Sequence, residues 1–395
     1  MKKIVLTISL FSIVILAYFL FEPVFTYYFG RSITLNRQSL YPDISHLDSV
    51  RNKADELLAR EFQTINAPSL SASIGMGDSV IWSNSIGYSD LDNNLLADTT
   101  TKYRIGSVSK TIASVGLGLL FQDRILSPNS TVGDYVTYVS GDLANLTVKE
   151  LASHTSGIRN YGMCFCFPIW EYYNNDQFNT TEKSVSVFAD DKLLFTSGQD
   201  FSYSSFNYTL LTAVMEGASK TGYNQFIQSR VLEPLNLQHT IPDNALDPVP
   251  NTAIFYDSEE SYFKKSYPVN NSNKWAGGGY LSTPTDLVKF GNGILNYKLV
   301  NSTTTELLFN PVELKSGEVN VQNYALGWRN DVSKKVFVDG REVIVVHHGG
   351  TAVGSTAILM LLPEYNVSIA LAMNSSGETT DLFALAYKII DLFFE

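Results

Sequence analysis

The sequence is poor in cysteine, histidine and basic residues, and each shortage excludes a class of protein. Its two cysteines, Cys164 and Cys166, are too few for a disulfide framework or a four-ligand zinc site. They lie two positions apart, which disfavours a bridge between them and predicts free thiols. The five histidines have no metal-binding spacing, and no cofactor is expected. Lys and Arg number 28 against 39 Asp and Glu, which argues against nucleic acid as a partner.

The composition is otherwise that of a folded protein with a large core. Hydrophobic residues make up 45% of the 395 residues and aromatic residues 12%, which suits extensive burial. Charged residues make up 17%, a low fraction for a disordered chain. The length allows two domains or one large composite domain.

The N-terminus has the pattern of a membrane anchor. Lys2 and Lys3 precede an uncharged run over residues 4–21, which as a helix spans about 27 Å, close to the hydrocarbon thickness of a bilayer. The run is longer than a usual signal-peptide core, and no small-x-small cleavage site follows it. We expect residues 1–30 to form an uncleaved anchor, with a cleaved signal segment as the alternative. Residues 31–44 are then a tether, and the body lies on the non-cytoplasmic side of the membrane.

The body of the chain has strand-rich ends and a more helical middle. Helices are predicted at 46–63, from Ser107 towards Arg124, at 206–219 with Gly222 closing the helix, from Thr283 onwards, and at 380–393. Strands are predicted at 70–76, 80–88, 324–328, 335–338, 342–346, 356–362 and 367–373. The polar stretch at 242–275 is predicted to be a surface loop.

This order of elements predicts an α/β fold. We expect an antiparallel sheet flanked by helices and built from both chain ends, with an inserted, mainly helical domain. The catalytic domain is predicted at 45–395, with its α/β part at 45–134 and 311–395 and the helical insertion at 135–310.

A serine and a lysine three positions apart form the first candidate catalytic group. Ser107 and Lys110 fall at the start of a predicted helix, where residues at this spacing share a face and the amine can reach the hydroxyl. A serine needs such a neighbour because its hydroxyl is almost never ionised near neutral pH. The same spacing recurs at Ser261 and Lys264 in an acidic loop, where we interpret it as chance.

Two further segments carry candidate groups. Tyr203 precedes a predicted helix and can act as a general base if a cation lowers its pKa; the alternative is a packing tyrosine. His347, His348, Gly349 and Gly350 end a predicted strand, where glycines let the backbone approach a ligand and a histidine can bind a carboxylate or move a proton. The alternative is an ordinary strand-end loop. The triplet Lys220-Thr221-Gly222 is explained by helix termination.

Taken in order, these motifs resemble the serine β-lactamase and penicillin-binding protein superfamily, in its class C-like branch. The resemblance covers about residues 46–392 and includes the segments 103–110, 154–158, 275–283 and 347–354. The segments that begin at Tyr203 and Trp275 are most similar to a mitochondrial, peptidase-type branch. The resemblance implies the fold described above.

The resemblance also implies catalytic roles. Ser107 is the nucleophile, Lys110 activates it and positions Tyr203, and Tyr203 passes a proton to the leaving group. His347 replaces the lysine of the K-T-G motif and orients the substrate carboxylate or supports Tyr203. The N–H groups of Ser107 and Gly350 form the oxyanion hole. The acylation base is left between Lys110 and Tyr203.

Three residues are implied to bind substrate: Ser205, His348 and Gly349. Ser205 stands where many members have an asparagine, and a histidine replaces the permanent cation of K-T-G, so efficient antibiotic hydrolysis is not expected. Aromatic residues at 158–200, including Tyr161 and Tyr172, form either a wall over the pocket or a packed surface loop.

Together these observations predict a serine hydrolase that forms an acyl-enzyme with a small peptide, amide or ester. Among these activities, peptidase-like hydrolysis is favoured most, and ester hydrolysis comes second. The alternatives are a D-alanyl-D-alanine carboxypeptidase or β-lactamase, or a catalytically silent binding or scaffold protein.

Overall fold

The structure is a computed structural model that describes residues 11–12, 14–15, 49–164, 170–258, 262–377 and 379–394. Apart from those four N-terminal positions, the predicted anchor at 1–30 and tether at 31–44 lie outside the described residues. Within the described ranges, no helix is both long and apolar enough to span a bilayer. Membrane anchoring and export therefore stay predictions.

The elements follow one another along the chain as the sequence predicted in outline. The α-helices are α1 Ser49–Phe62, α2 Ser109–Gln122, α3 Gly141–Asn145, α4 Val148–Ala152, α5 Thr181–Val185, α6 Ser205–Ser219, α7 Tyr223–Ile227, α8 Trp275–Gly278, α9 Pro284–Leu295, α10 Ser302–Phe309 and α11 Thr379–Leu392. The strands are β1 Ser69–Met76, β2 Ser79–Asp90, β3 Leu95–Leu96, β4 Tyr103–Arg104, β5 Ile241–Pro242, β6 Tyr256–Ser258, β7 Phe263–Lys265, β8 Tyr280–Ser282, β9 Arg329–Ser333, β10 Val343–Ala352, β11 Ser355–Leu362 and β12 Val367–Met373.

One seven-stranded sheet organises the fold, in the order β3-β2-β1-β12-β11-β10-β9. Its pairings are antiparallel, and β1 from the start of the chain pairs with β12 from its end. The predicted fold class is therefore confirmed: an antiparallel sheet from both chain ends is flanked by helices. The predicted domain boundaries stay a prediction.

Alternating side chains of the central strands enter two separate cores. On β11, Ile358 and Met360 join the core formed with α1 and α11, whereas Ala357 and Leu359 join the core on the side of α2 and α9. Both faces are buried, because adjacent strand residues point to opposite faces and each face is covered by helices. The second core holds the helices that position the candidate site.

Several local predictions were wrong. Residues 324–328 and 335–338 form no strand, and β9 lies between them at Arg329–Ser333. Trp328 is instead fully buried in the helical core, where its indole N–H donates to Ser114 Oγ at 3.0 Å. Lys220, in the left-handed region at φ 56°, ends α6, while Gly222 caps the start of α7.

The stretch 242–275 is more ordered than a surface loop. It contains the hairpin of β6 and β7 and a buried segment over residues 270–274. The side chains of that segment are hydrogen-bonded: Asn271 donates to Asp243, and Asn270 donates to Gln177. Polar composition did not imply exposure here, because the buried amides find partners.

Candidate active site

Ser107 lies in a 3₁₀ turn, Gly106–Val108, directly before α2. This turn packs against β10, and a Cβ at Gly106 would lie 2.7 Å from Thr351 O. Gly106 also has φ +50°, a conformation that glycine adopts without steric cost. The turn therefore holds the half-buried Ser107 hydroxyl between the edge of the sheet and the first turn of α2.

Lys110 is fully buried, and its amine lies among three hydrogen-bond partners. Nζ lies 3.0 Å from Ser107 Oγ, 2.5 Å from Gly277 O and 3.3 Å from Ser205 Oγ. Burial lowers the pKa of Lys110 well below its usual 10.5. A neutral amine has two N–H donors, which suit Gly277 O and Ser205 Oγ, and one lone pair, which then faces the Ser107 hydroxyl. The site can thus hold a lysine that accepts a proton from serine.

Tyr203 is half-buried beside these two residues. Lys110 Nζ lies 5.0 Å from the centre of its ring. Burial raises the pKa of Tyr203 to about 12, although a hydrogen bond with Ser107 and the charge of Arg329 oppose that shift. The sequence-based idea of a cation-activated phenolate is therefore corrected: the phenol keeps its proton near neutral pH and suits proton donation.

The ring of His154 packs against the ring of Tyr203. Their ring centres lie 4.2 Å apart, and His154 is fully buried. Its Nδ1 accepts hydrogen bonds from the Ser204 N–H at 3.3 Å and from Asn207 Nδ2 at 3.1 Å. Burial lowers the pKa of His154 well below its usual value, so the ring is neutral. The predicted motif at 154–158 thus fixes the tyrosine in place.

Ser205, implied to bind substrate, lies at the start of α6 and faces the same cavity. Its hydroxyl accepts from Lys110 Nζ, and its backbone N–H donates to Asn160 Oδ1 at 3.1 Å. Asn160 also lines the cavity, and sequence reasoning missed it. The structure therefore brings together Ser107, Lys110 and Ser205.

The two histidines of β10 point in opposite directions. His347 contacts the Phe383 ring of α11 at 5.0 Å, and its Nε2 lies 2.8 Å from Asp331 Oδ2. His348 faces the helical side, with its ring centre 6.3 Å from that of Tyr203. The structure therefore does not bring His347 to the site, and the histidine of β10 on the side of Tyr203 is His348.

His348 is buried and electrically neutral. Its Nδ1 lies 2.6 Å from Gly349 O, which can only accept, so Nδ1 carries the proton. Its Nε2 then accepts from the Tyr324 hydroxyl at 2.8 Å. Burial, with the charges of Lys110 and Arg329, lowers the pKa of His348 well below 6.5. His348 thus anchors Tyr324 and supplies no cation to the site.

The glycines of β10 serve close packing. A Cβ at Gly350 would lie 2.0 Å from Ile105 O and 2.8 Å from the nitrogen of Ser107, so only glycine lets the strand approach the nucleophile this closely. A Cβ at Gly349 would meet Thr379 of α11 on the other face. Among the described residues that line the cavity, β10 contributes Thr351 and Ala352, and neither Gly349 nor Gly350 is among them.

A cavity of about 340 Å³ opens over Ser107. Its walls come from several distant segments of the chain. The lining residues are Gly106, Ser107, Asn160, Tyr161, Tyr172, Tyr203, Ser205, Asn271, Lys274, Gly277, Gly278, Thr351, Ala352 and Val353. Lys274 and Asn271 were missed because their segment was predicted to be a surface loop.

The sequence left open whether the aromatic residues at 158–200 form a wall over the pocket or a packed surface loop. Two of them, Tyr161 and Tyr172, form part of the cavity wall. The segment is held by Arg159, whose guanidinium pairs with both oxygens of the buried Glu171 carboxylate at 2.6 and 2.9 Å. Such bidentate pairs fix orientation as well as distance. Cys164, in the same segment, is disulfide-bonded, which corrects the expectation of free thiols.

A sheet flanked by helices, with a Ser-x-x-Lys pair at their junction, defines a protein of the β-lactamase and transpeptidase type. The chain belongs to the Beta-lactamase family, whose profile matches residues 54–392. The resemblance inferred from its motifs is therefore confirmed.

Individual relatives agree with this assignment. The chain is 27% identical to the human serine beta-lactamase-like protein LACTB, mitochondrial, over 78% of this chain and 71% of that protein. The fold is similar to a penicillin-binding protein from Bacillus halodurans, with a TM-score of 0.68 and 20% identity over 86% of this chain and 98% of that one. It is also similar to a D-amino acid amidase from Ochrobactrum anthropi SV3, with a TM-score of 0.73 and 17% identity over 88% and 99% of the two chains.

Proposed function

We propose that this protein is a serine hydrolase that forms an acyl-enzyme at Ser107 with peptide, amide or ester substrates. One observation carries the proposal: the buried amine of Lys110, with its lowered pKa, lies 3.0 Å from the Ser107 hydroxyl. A serine hydroxyl beside a neutral amine is an activated nucleophile. The same pair serves no evident purpose in a binding protein, because burying an amine costs stability.

Acylation begins when the lone pair of Lys110 takes the proton of Ser107 and Oγ attacks the substrate carbonyl carbon. The carbonyl oxygen becomes an oxyanion, which the backbone N–H of Ser107 and that of Thr351 stabilise from the two sides of the cavity mouth. Thr351 replaces Gly350 in this role because it lines the cavity. Tyr203 donates its phenolic proton to the leaving nitrogen or oxygen, and the carbon–leaving-group bond breaks.

Deacylation repeats these steps with water. The tyrosinate formed in the first half-reaction recovers a proton from the Lys110 ammonium. The neutral amine then takes a proton from water, whose oxygen attacks the acyl carbon. Ser107 Oγ leaves and is reprotonated, so the enzyme returns to its starting state with the acid product released.

Within this chemistry, peptidase-like amide hydrolysis leads and ester hydrolysis follows. Tyr203 supports this order, because a protonated phenol assists the departure of an amine, which leaves poorly without a proton. D-alanyl-D-alanine carboxypeptidase and β-lactamase activities are disfavoured. His348 is neutral where those enzymes present a lysine, and Ser205 is shorter than the usual asparagine.

Labelling by a fluorophosphonate probe tests the proposal. We expect labelling of the purified protein at Ser107 and its loss in S107A. S316A is the matched control, because Ser316 is exposed and outside the cavity. Absence of labelling in folded wild-type protein would favour a catalytically silent binding protein instead. Turnover of a panel of peptide amides and esters then ranks the substrate classes.

A further inference from the structure

Lys274 lies at the cavity, in a position fixed to the catalytic residues. It directly precedes α8, and Gly277 of α8 accepts the hydrogen bond from Lys110 Nζ. The side chain of Lys274 lines the cavity together with Ser107 and Tyr203 and has only 6% of its surface exposed. A second lysine is therefore built into the substrate cavity.

The amine of Lys274 has aromatic neighbours and one backbone partner. Nζ donates to Tyr172 O at 3.1 Å and lies 5.2 and 5.5 Å from the ring centres of Tyr172 and Tyr161. Among the described residues, Tyr172 O is its one hydrogen-bond acceptor, and no carboxylate lies within ion-pair distance. An ammonium has three donors, so two of its N–H groups have no protein acceptor there.

The carboxylate of Asp243, whose charge acts on Lys274, is committed to other partners. Asp243 Oδ2 accepts from Arg104 Nε at 2.7 Å and from Asn271 Nδ2 at 2.5 Å. The charges of Arg104 and Asp243 act on the pKa of Lys274 in opposite directions. Lys274 thus remains an uncompensated cation on a wall that contains no Asp or Glu among its described lining residues.

The ammonium form still predominates near neutral pH. Burial, with the charge of Arg104, lowers the pKa of Lys274 to about 8. At pH 7 the protonated form then exceeds the neutral form by about ten to one. Burial lowers the pKa of Lys110 as well, and its amine faces Ser107, while His348 is neutral, so Lys274 is the cation that an anionic ligand meets in this cavity.

We propose that Lys274 binds a carboxylate of the substrate and makes the enzyme selective for anionic peptides, amides or esters. The two N–H groups without a protein acceptor supply the hydrogen bonds, and Tyr172 O keeps the amine in place. A charged hydrogen bond inside a poorly hydrated cavity is stronger than one in water. This inference rests on the proposed acyl-hydrolase function and names the class of substrate.

Matched pairs of esters test whether Lys274 binds a substrate carboxylate. In the first pair, the carboxylate is on the acyl side: mono-4-nitrophenyl succinate is compared with 4-nitrophenyl butyrate. In the second pair, it is on the leaving group: 3-acetoxybenzoate is compared with phenyl acetate. We expect K274M to lower the ratio of kcat/KM for the anionic ester to that for its neutral partner by about 10- to 100-fold in at least one pair. K192M, at an exposed lysine outside the cavity, is the control.

The outcomes separate this inference from the proposed function. If K274M lowers both members of each pair equally, or neither, Lys274 does not recognise a carboxylate. Fluorophosphonate labelling of K274M shows whether the variant is folded and Ser107 is competent. If wild-type protein itself is not labelled, the acyl-hydrolase proposal fails first.

A pH profile gives an independent readout. The ratio of kcat/KM for the anionic ester to that for its neutral partner should fall as pH rises past about 8, because Lys274 loses its proton. The phenols of Tyr161 and Tyr172, which lie beside the amine, have raised pKa values because they are buried. Titration of Lys110 affects both esters alike and cancels in the ratio. A ratio unchanged from pH 6 to 10 would overturn the inference.

Discussion

Replacement of Gly350 by alanine tests how closely the nucleophile must sit against β10. The added Cβ would lie 2.0 Å from Ile105 O, whereas ordinary contact begins at 3.4 Å. Because Ile105 O and the nitrogen of Ser107 belong to the backbone, no rotamer change relieves the clash. The turn and the strand must therefore separate by about 1.4 Å in a close-packed region.

Such a separation should cost both activity and stability. A displacement of about 1 Å in a catalytic group can cost about 100-fold in rate. Overpacking of a well-filled site costs about 1–3 kcal/mol of stability. We therefore expect G350A to react with a fluorophosphonate about 100-fold more slowly than wild type, with a lower melting temperature but a folded structure at 25 °C.

The neighbouring glycine supplies a matched control. A Cβ at Gly349 would lie 3.0 Å from Cγ2 of Thr379, a side-chain atom that can move, on the face away from the cavity. G349A should therefore label at close to the wild-type rate. The reasoning is refuted if G350A labels as fast as wild type, or if G349A and G350A are equally slow.

Three further predictions concern the catalytic side chains. K110M should abolish labelling yet raise the melting temperature at pH 7, because it removes a buried amine. The folded-state pKa of Lys110 lies below its unfolded value of 10.5, so between these two values the stability of the wild-type protein rises with pH. Thermal melts of K110M at several pH values should lack this rise. Y203F should slow hydrolysis of an anilide by about 100-fold or more but that of a 4-nitrophenyl ester much less, because 4-nitrophenolate leaves without a proton; equal losses would contradict leaving-group protonation. H348A, which removes the partner of Tyr324, should reduce kcat/KM more than H347A does, and the reverse order would restore the original assignment of His347.

The catalytic motif was readable from sequence because its geometry is local. Ser107 and Lys110 are joined by one helical turn, so their spacing alone predicts the contact. The seven-stranded sheet was also predictable in outline, because its strands carry long apolar runs between turn residues. Tyr203 comes to the site through tertiary structure, and only the resemblance to a family indicated it.

The choice between the two histidines was not readable from sequence. In residues 343–346 every position is apolar, so no alternation marks which face of β10 is which. A shift of one residue moves each side chain to the other face of a strand. Val345 and Val346 enter different cores, and that packing fixes His348 towards the cavity and His347 towards α11.

The charge states of the buried groups could not be predicted from the sequence either. Sequence reasoning left open whether a cation lowers the pKa of Tyr203, whereas burial dominates and raises it. Lys274 was assigned to a surface loop because its neighbours are polar. Burial depends on the whole fold, and it decides the direction of both shifts.

The pairing of β1 with β12 has a consequence for how the protein is made. The backbone N–H of Ser69 donates to Asn374 Oδ1 at 2.8 Å across 305 positions of sequence. A ribosome must therefore release almost the whole chain before β1 acquires its second neighbour in the sheet. Until then β1 presents an unpaired, apolar edge to the cell, and folding is slow because the decisive contacts are so distant. Translation that stops short of β12 should yield an aggregation-prone fragment that needs chaperones or degradation.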